Sequence, residues 1–226
     1  MIIAQRKPFA EIKAAVDPYD KILIVGCGTC VAVCLAGGEK EVGLLASQLK
    51  IVRQLEGQRP EIGEITVERQ CDLEFLTPLC DFVADYDAII SMACGAGVQF
   101  LGQLCHFKPI FPGVNTSFIG VNNEVGYYTE RCLACNNCYL GVTGGICPVT
   151  MCPKGLLNGP CGGTLNGKCE VDPDLDCAWS KIYHRLELEG RLDRLSDILP
   201  LHPHDRRTTP GKVIHPAYRR RYGTDE

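Results

Sequence analysis

The sequence has one tryptophan, three methionines and 7% aromatic residues, and no apolar run approaches the roughly 20 residues of a membrane helix. Its first stretch, MIIAQRKPFAEIKAAVDPYD, also lacks an apolar segment long enough for a signal peptide. A soluble, cytoplasmic chain without membrane insertion is therefore expected. A basic excess is missing too: 23 Lys and Arg against 27 Asp and Glu leave a net charge of -4, which argues against nucleic acid as a partner. No Ser-His-Asp order or paired-carboxylate pattern stands out, so no catalytic residue is assigned.

What the chain has in excess is cysteine, 15 of 226 residues, mostly at short fixed spacings rather than scattered as packing thiols. A reducing compartment and adjacent Cys-x-x-Cys steps both disfavour a disulfide framework, which leaves metal as the favoured role.

Residues 21–26, KILIVG, form a short apolar run, as suits a strand covered on both faces of a parallel sheet. From Glu39 to Gln58, Val42, Leu45, Leu49, Val52 and Leu55 recur at steps of three and four, which predicts an amphipathic helix ending near Gly57. Ile65 and Val67 mark a second strand, Leu76, Leu79 and Val83 a helix, and DAIISM a third strand at Ala88 to Met92. A helix near Val98 to Phe107, followed by PIFPGV, completes the pattern. The predicted fold class is α/β, with a small doubly wound, mostly parallel sheet over residues 1–128. Residues 129–178 turn to Gly, Cys, Asn and Pro and read as a Cys-rich module organised by metal. Residues 179–226 hold a C-terminal helix and an extended basic tail suited to partner docking. Helical patterning there runs from Ala178 to Leu199, with Trp179, Ile182 and Leu186 on one face.

The string GCGTCVAVC puts Cys27, Cys30 and Cys34 directly after the first strand. Gly26, Gly28 and Val31 imitate a dinucleotide fingerprint, but its third glycine is missing. A thioredoxin-type Cys-x-x-Cys is also disfavoured, because Cys34 adds a third thiol. Cys71 follows the second strand and Cys94 the third, so all these thiols fall on the carboxyl edge of a parallel sheet, where ligands are expected. An iron-sulfur cluster on Cys27, Cys30, Cys34 and Cys94 is predicted, with Cys71 as the alternative ligand. Cys80 and Cys105 sit in helical patterns and read as packed free thiols.

In RCLACNNC, Cys132, Cys135 and Cys138 form a C-x-x-C-x-x-C run, and Cys147 and Cys152 each precede proline, as in ferredoxin loops. The intervening YLGVTGGI is longer than a ferredoxin's, so Cys147 or a more distant thiol is the fourth ligand of this second cluster. Cys152, Cys161, Cys169 and Cys177 remain for a further cluster or a zinc site, with ligand exchange between the two groups left open. His202 and His204, flanked by prolines, read as part of a solvated arm, and Arg206, Arg207, Arg219, Arg220 and Arg221 make that arm basic.

The strings GCGTCVAVCLAGGEKEVG, SMACGAGVQ, ERCLACNNC, GGICPVTMCPKGLLNGPCGG, GKCEVDP and DCAW together resemble the MetV family, the small iron-sulfur subunits of methylenetetrahydrofolate reductases in acetogenic bacteria. The resemblance implies two or more 4Fe-4S clusters, with zinc as an alternative, and no flavin in this chain. It also implies a MetF-type flavin partner that holds FMN and reduces 5,10-methylenetetrahydrofolate to 5-methyltetrahydrofolate in the methyl branch of carbon dioxide fixation. Electrons would enter from ferredoxin or a further electron-input subunit. The competing reading from the residues is a non-redox adaptor whose metal sites fold a docking module.

Overall fold

The computed structural model describes residues 1–200 and 211–222, and the chain divides into two compact units, residues 1–134 and 135–226. His202, His204, Arg206 and Arg207 lie outside the described residues.

The first unit carries two sheets. Strands β2 (Lys21–Cys27), β3 (Glu61–Val67), β4 (Ala88–Ser91) and β5 (Ile110–Pro112) make a parallel sheet in the order β3-β2-β4-β5. Central β2 is buried from Ile22 to Cys27 because both of its faces are covered. Ile22 and Ile24 pack with Val42, Leu45 and Leu49 of α3 (Glu39–Leu55) and with Ile12 and Val16 of α1 (Phe9–Val16). Leu23 and Val25 face the other way, into a core closed by Leu76 of α4 (Leu73–Leu76), Leu79 and Val83 of α5 (Leu79–Val83) and Leu101 of α6 (Gly95–Leu104). A one-turn helix, α2 (Cys30–Val33), follows β2. The expected helix from Glu39 ends as read, with Gly57 at φ 79° just past the last turn, a backbone conformation favoured for glycine. Buried Arg53 ties this helix to α1 by donating to the carbonyls of Val16 and Tyr19, each at 2.6 Å.

Two details of this unit depart from expectation. The helix expected through Leu76, Leu79 and Val83 is two short pieces that meet at Pro78, which supplies no amide to the helical ladder. A second sheet, antiparallel and ordered β1-β6-β7, joins β1 (Ile2–Arg6), β6 (Val114–Glu124) and β7 (Tyr127–Cys132). Its strands lack clean alternation because the pairing is irregular: the register shifts at Ile3/Ala4, which leaves both residues buried, and again at Ile119/Gly120 and Asn122/Glu124. Among the described residues no helix is long and apolar enough to cross a membrane.

The second unit has little regular structure: α7 (Pro148–Met151), α8 (Ala178–Leu188) and short 3-10 turns at Leu192–Ser196, Pro216–Tyr218 and Arg220–Tyr222. The helix expected to reach Leu199 stops at Leu188, where Gly190 turns the chain at φ 65°. Trp179, Ile182 and Leu186 form its buried face, joined by Cys177 and partly by Ile146, Cys152, Leu156 and Leu192. That core is too small to order the segment by hydrophobic burial alone.

Candidate metal centres

In the first unit, the order β3-β2-β4 brings three carboxyl strand ends side by side, with the switch in strand order beside β2. Cys27 is the last residue of β2, and Cys30 opens α2. Cys71 lies just beyond β3, and Cys94 caps the start of α6 just beyond β4. The Cys27 Sγ faces the loop after β3, with its contact to the Glu68 carbonyl at 3.8 Å. In that loop the fully buried Gln70 amide donates to the carbonyls of Val25 and Gly26 at 2.8 and 3.0 Å, while its Oε1 accepts from Ser91 Oγ at 2.7 Å. Gln70 thus staples the Cys71 loop to β2 and β4 together.

Cys71 is exposed as a residue. Partial burial raises its thiol above the ordinary value, and the neighbouring Cys94, Cys27 and Cys30 raise it further. Cys34 is buried and turns elsewhere: its Sγ donates to the Ile2 carbonyl of β1 at 3.5 Å. Burial raises its thiol, the Ala4 backbone contact offsets part of that, and Cys30 is the only cysteine contributing. Cys80 and Cys105 pack in the core on the α5-α6 side of the sheet, their sulfurs 3.7 Å apart.

The C-x-x-C-x-x-C run begins in one unit and ends in the other, since the division falls between Ala134 and Cys135. Ala134 donates its amide to Cys132 Sγ at 3.3 Å. Ala134 and Asn136 both adopt positive φ, 51° and 62°, so the backbone coils tightly between the thiols. Cys132 and Cys138 are exposed and Cys135 half-buried. Cys147 caps α7 and donates to Thr150 Oγ1 at 3.5 Å.

The second unit's remaining thiols converge. Cys152, Cys161, Cys169 and Cys177 line one cavity, walled also by Leu156, Ala178 and Trp179. A two-residue hairpin shapes it: Asn166 and Gly167, at φ 50° and 76°, reverse the chain so that Leu165 and Lys168 exchange backbone hydrogen bonds. Cys169 and Cys177 are then fixed by amide bonds to Leu175 O at 2.9 Å and Gly167 O at 2.7 Å. Cys177 sits at the N-cap of α8. Burial alone would raise its thiol, but hydrogen bonding from the Ser180 amide and hydroxyl, Thr164 and Trp179 brings it below the ordinary value. Trp179 Nε1 donates to Leu156 O at 3.0 Å, pinning the indole against the cavity wall.

Among the described residues no three or more His, Cys, Asp or Glu side chains are gathered closely enough to hold a metal ion. A zinc ion needs its thiolates within about 2.3 Å of the metal, so the sulfurs must crowd together. The Asn-Gly hairpin signal was available in the sequence. The buried Gln70 staple was not, because nothing in the string VERQCD marks a glutamine as buried.

No curated protein and no solved structure matches the chain. Residues 111–205 match the family described as "Methylene-tetrahydrofolate reductase C terminal".

Proposed function

We propose that this chain is a non-catalytic electron-transfer and scaffolding subunit of a methylenetetrahydrofolate reductase complex. The observation that carries the reading is the convergence of Cys152, Cys161, Cys169 and Cys177 on one cavity within the family-matched segment. The thiols at the sheet edge and the C-x-x-C-x-x-C run supply ligands for further clusters. Iron-sulfur clusters held on these thiols supply one-electron exchange at potentials set by surrounding amides and burial.

The chain's own residues hold and tune those centres. Ala134 N-H donates to Cys132, the Ser180 and Trp179 amides face Cys177, and Trp179 lines the same cavity. The proposed partner is a MetF-type flavin subunit. FMN there would accept two electrons and two protons and would supply the two-electron reduction of 5,10-methylenetetrahydrofolate to 5-methyltetrahydrofolate. Ferredoxin or a further electron-input subunit is the proposed donor.

Anaerobic co-expression with the flavin subunit tests the reading. Donor-driven flavin reduction should fall by at least about tenfold in Cys135→Ser, with one cluster signal lost and that of the sheet edge kept. Flavin reduction at an unchanged rate in cluster-free protein identifies a non-redox adaptor instead.

A further inference from the structure

We infer that the sheet-edge cluster is held by Cys27, Cys30, Cys71 and Cys94, and that Cys34 is a buried structural thiol outside the ligand set. This assignment rests on the cluster-bearing reading above and names the residues that act in it.

Three adjacent strands deliver the four thiols. β2 brings Cys27 and, through the turn into α2, Cys30; β3 and β4 flank β2 on either side and bring Cys71 and Cys94. Register fixes how they meet, since Cys27 pairs with Val67 and Val25 pairs with Ser91. The two remote thiols therefore leave their strands level with the end of β2.

The Gln70 staple makes the case for Cys71. Its amide spans Val25 and Gly26 of β2 and Ser91 of β4, so the residue after it is anchored over the strand-order switch instead of swinging free. The first turn of α6 closes on the same point. A Cβ at Gly97 would lie 2.9 Å from the Gln70 Cβ and 2.8 Å from that of Ala93, so only glycine lets the Cys94 loop approach this near. Cys27 looks toward the Cys71 loop through Glu68 O.

Cys34 differs in where its sulfur goes. It lies past the end of α2, and its thiol donates to Ile2 O of the antiparallel sheet, whereas the Cys27 sulfur meets the loop after β3. Its packing neighbours include Ile3, Ala36 and Val42. Recruiting it to the edge would break that packing and leave the Ile2 carbonyl without its thiol.

The test uses the full chain, reconstituted anaerobically with ferrous iron and sulfide. Wild type, Cys71→Ser, Cys34→Ala and Cys152→Ser are compared by iron and labile sulfide per chain, by EPR after dithionite, and by circular dichroism. Cys71→Ser should lose about four iron atoms and one EPR signal while keeping the wild-type dichroism, and Cys34→Ala should keep both iron and signal. Full iron content in Cys71→Ser, or loss of one cluster's iron in a folded Cys34→Ala, overturns the assignment. If Cys152→Ser loses iron while Cys71→Ser does not, this inference fails and the broader reading stands. A wild-type chain that takes up no iron overturns both.

Discussion

Gln70 is a polar side chain with no exposed surface, and its three hydrogen bonds join β2 to β4 at the carboxyl edge. Replacing it by leucine preserves bulk but removes three buried hydrogen bonds, although Val25 O keeps the Met92 amide at 2.8 Å, and the loss costs about 1–3 kcal/mol. Urea unfolding of Gln70→Leu should show that loss, and an unchanged midpoint would mean the staple bears no load. Cys105 gives a pH-dependent counterpart. Burial first, and then contact with Cys80, push its thiol from the ordinary 9.0 up to about 12. A raised folded-state value means that the stabilisation is complete below pH 9 and is lost as the pH rises toward 12, because the unfolded chain ionises first. Stability should therefore fall more steeply with rising pH in wild type than in Cys105→Ala. Equal slopes for the two proteins would contradict the buried-thiol account.

The elements differ in how far their sequences reveal them. β2 and α3 are legible because each has an unbroken physical signal: KILIVG is apolar throughout, and Val42, Leu45 and Leu49 keep a helical period. β1 and β6 were not, since bulges break the alternation and β6 exposes most of VNTSFIGVNNE. The candidate sites divide the same way. Strand ends place Cys27 and Cys94 from pattern alone, whereas the choice between Cys34 and Cys71 depends on a buried glutamine and a turn of the chain toward β1. The loop before α3 offers a test of element packing. Gly37 accepts the Cys27 amide at 2.9 Å, and a Cβ there would fall 1.8 Å from the Met92 backbone oxygen. Gly37→Ala must push apart β2 and the loop after β4, at a cost of about 1–3 kcal/mol. A urea midpoint matching wild type would show that this loop yields freely.

At the scale of the molecule, the two units rest on different physics. The first is held by two apolar cores on opposite faces of a parallel sheet and offers thiols at its edge as an addition to a self-sufficient fold. The second has a single small core around Trp179, Ile182 and Leu186, and its loops are organised around cysteines. On the proposed reading, cluster ligation would supply what that core lacks, much as metal does in other small Cys-rich modules. The family match covers much of this second unit, which places the cysteine cavity in the segment shared with methylenetetrahydrofolate reductase C-terminal sequences. The central claim is that the thiols hold redox-active iron-sulfur clusters. Its most direct test is the metal and sulfide content of the anaerobically purified full chain, read together with EPR before and after dithionite. The account predicts iron and labile sulfide in near-equal amounts, with signals that appear on reduction. Colourless protein carrying zinc alone, with no dithionite-dependent signal, would contradict it.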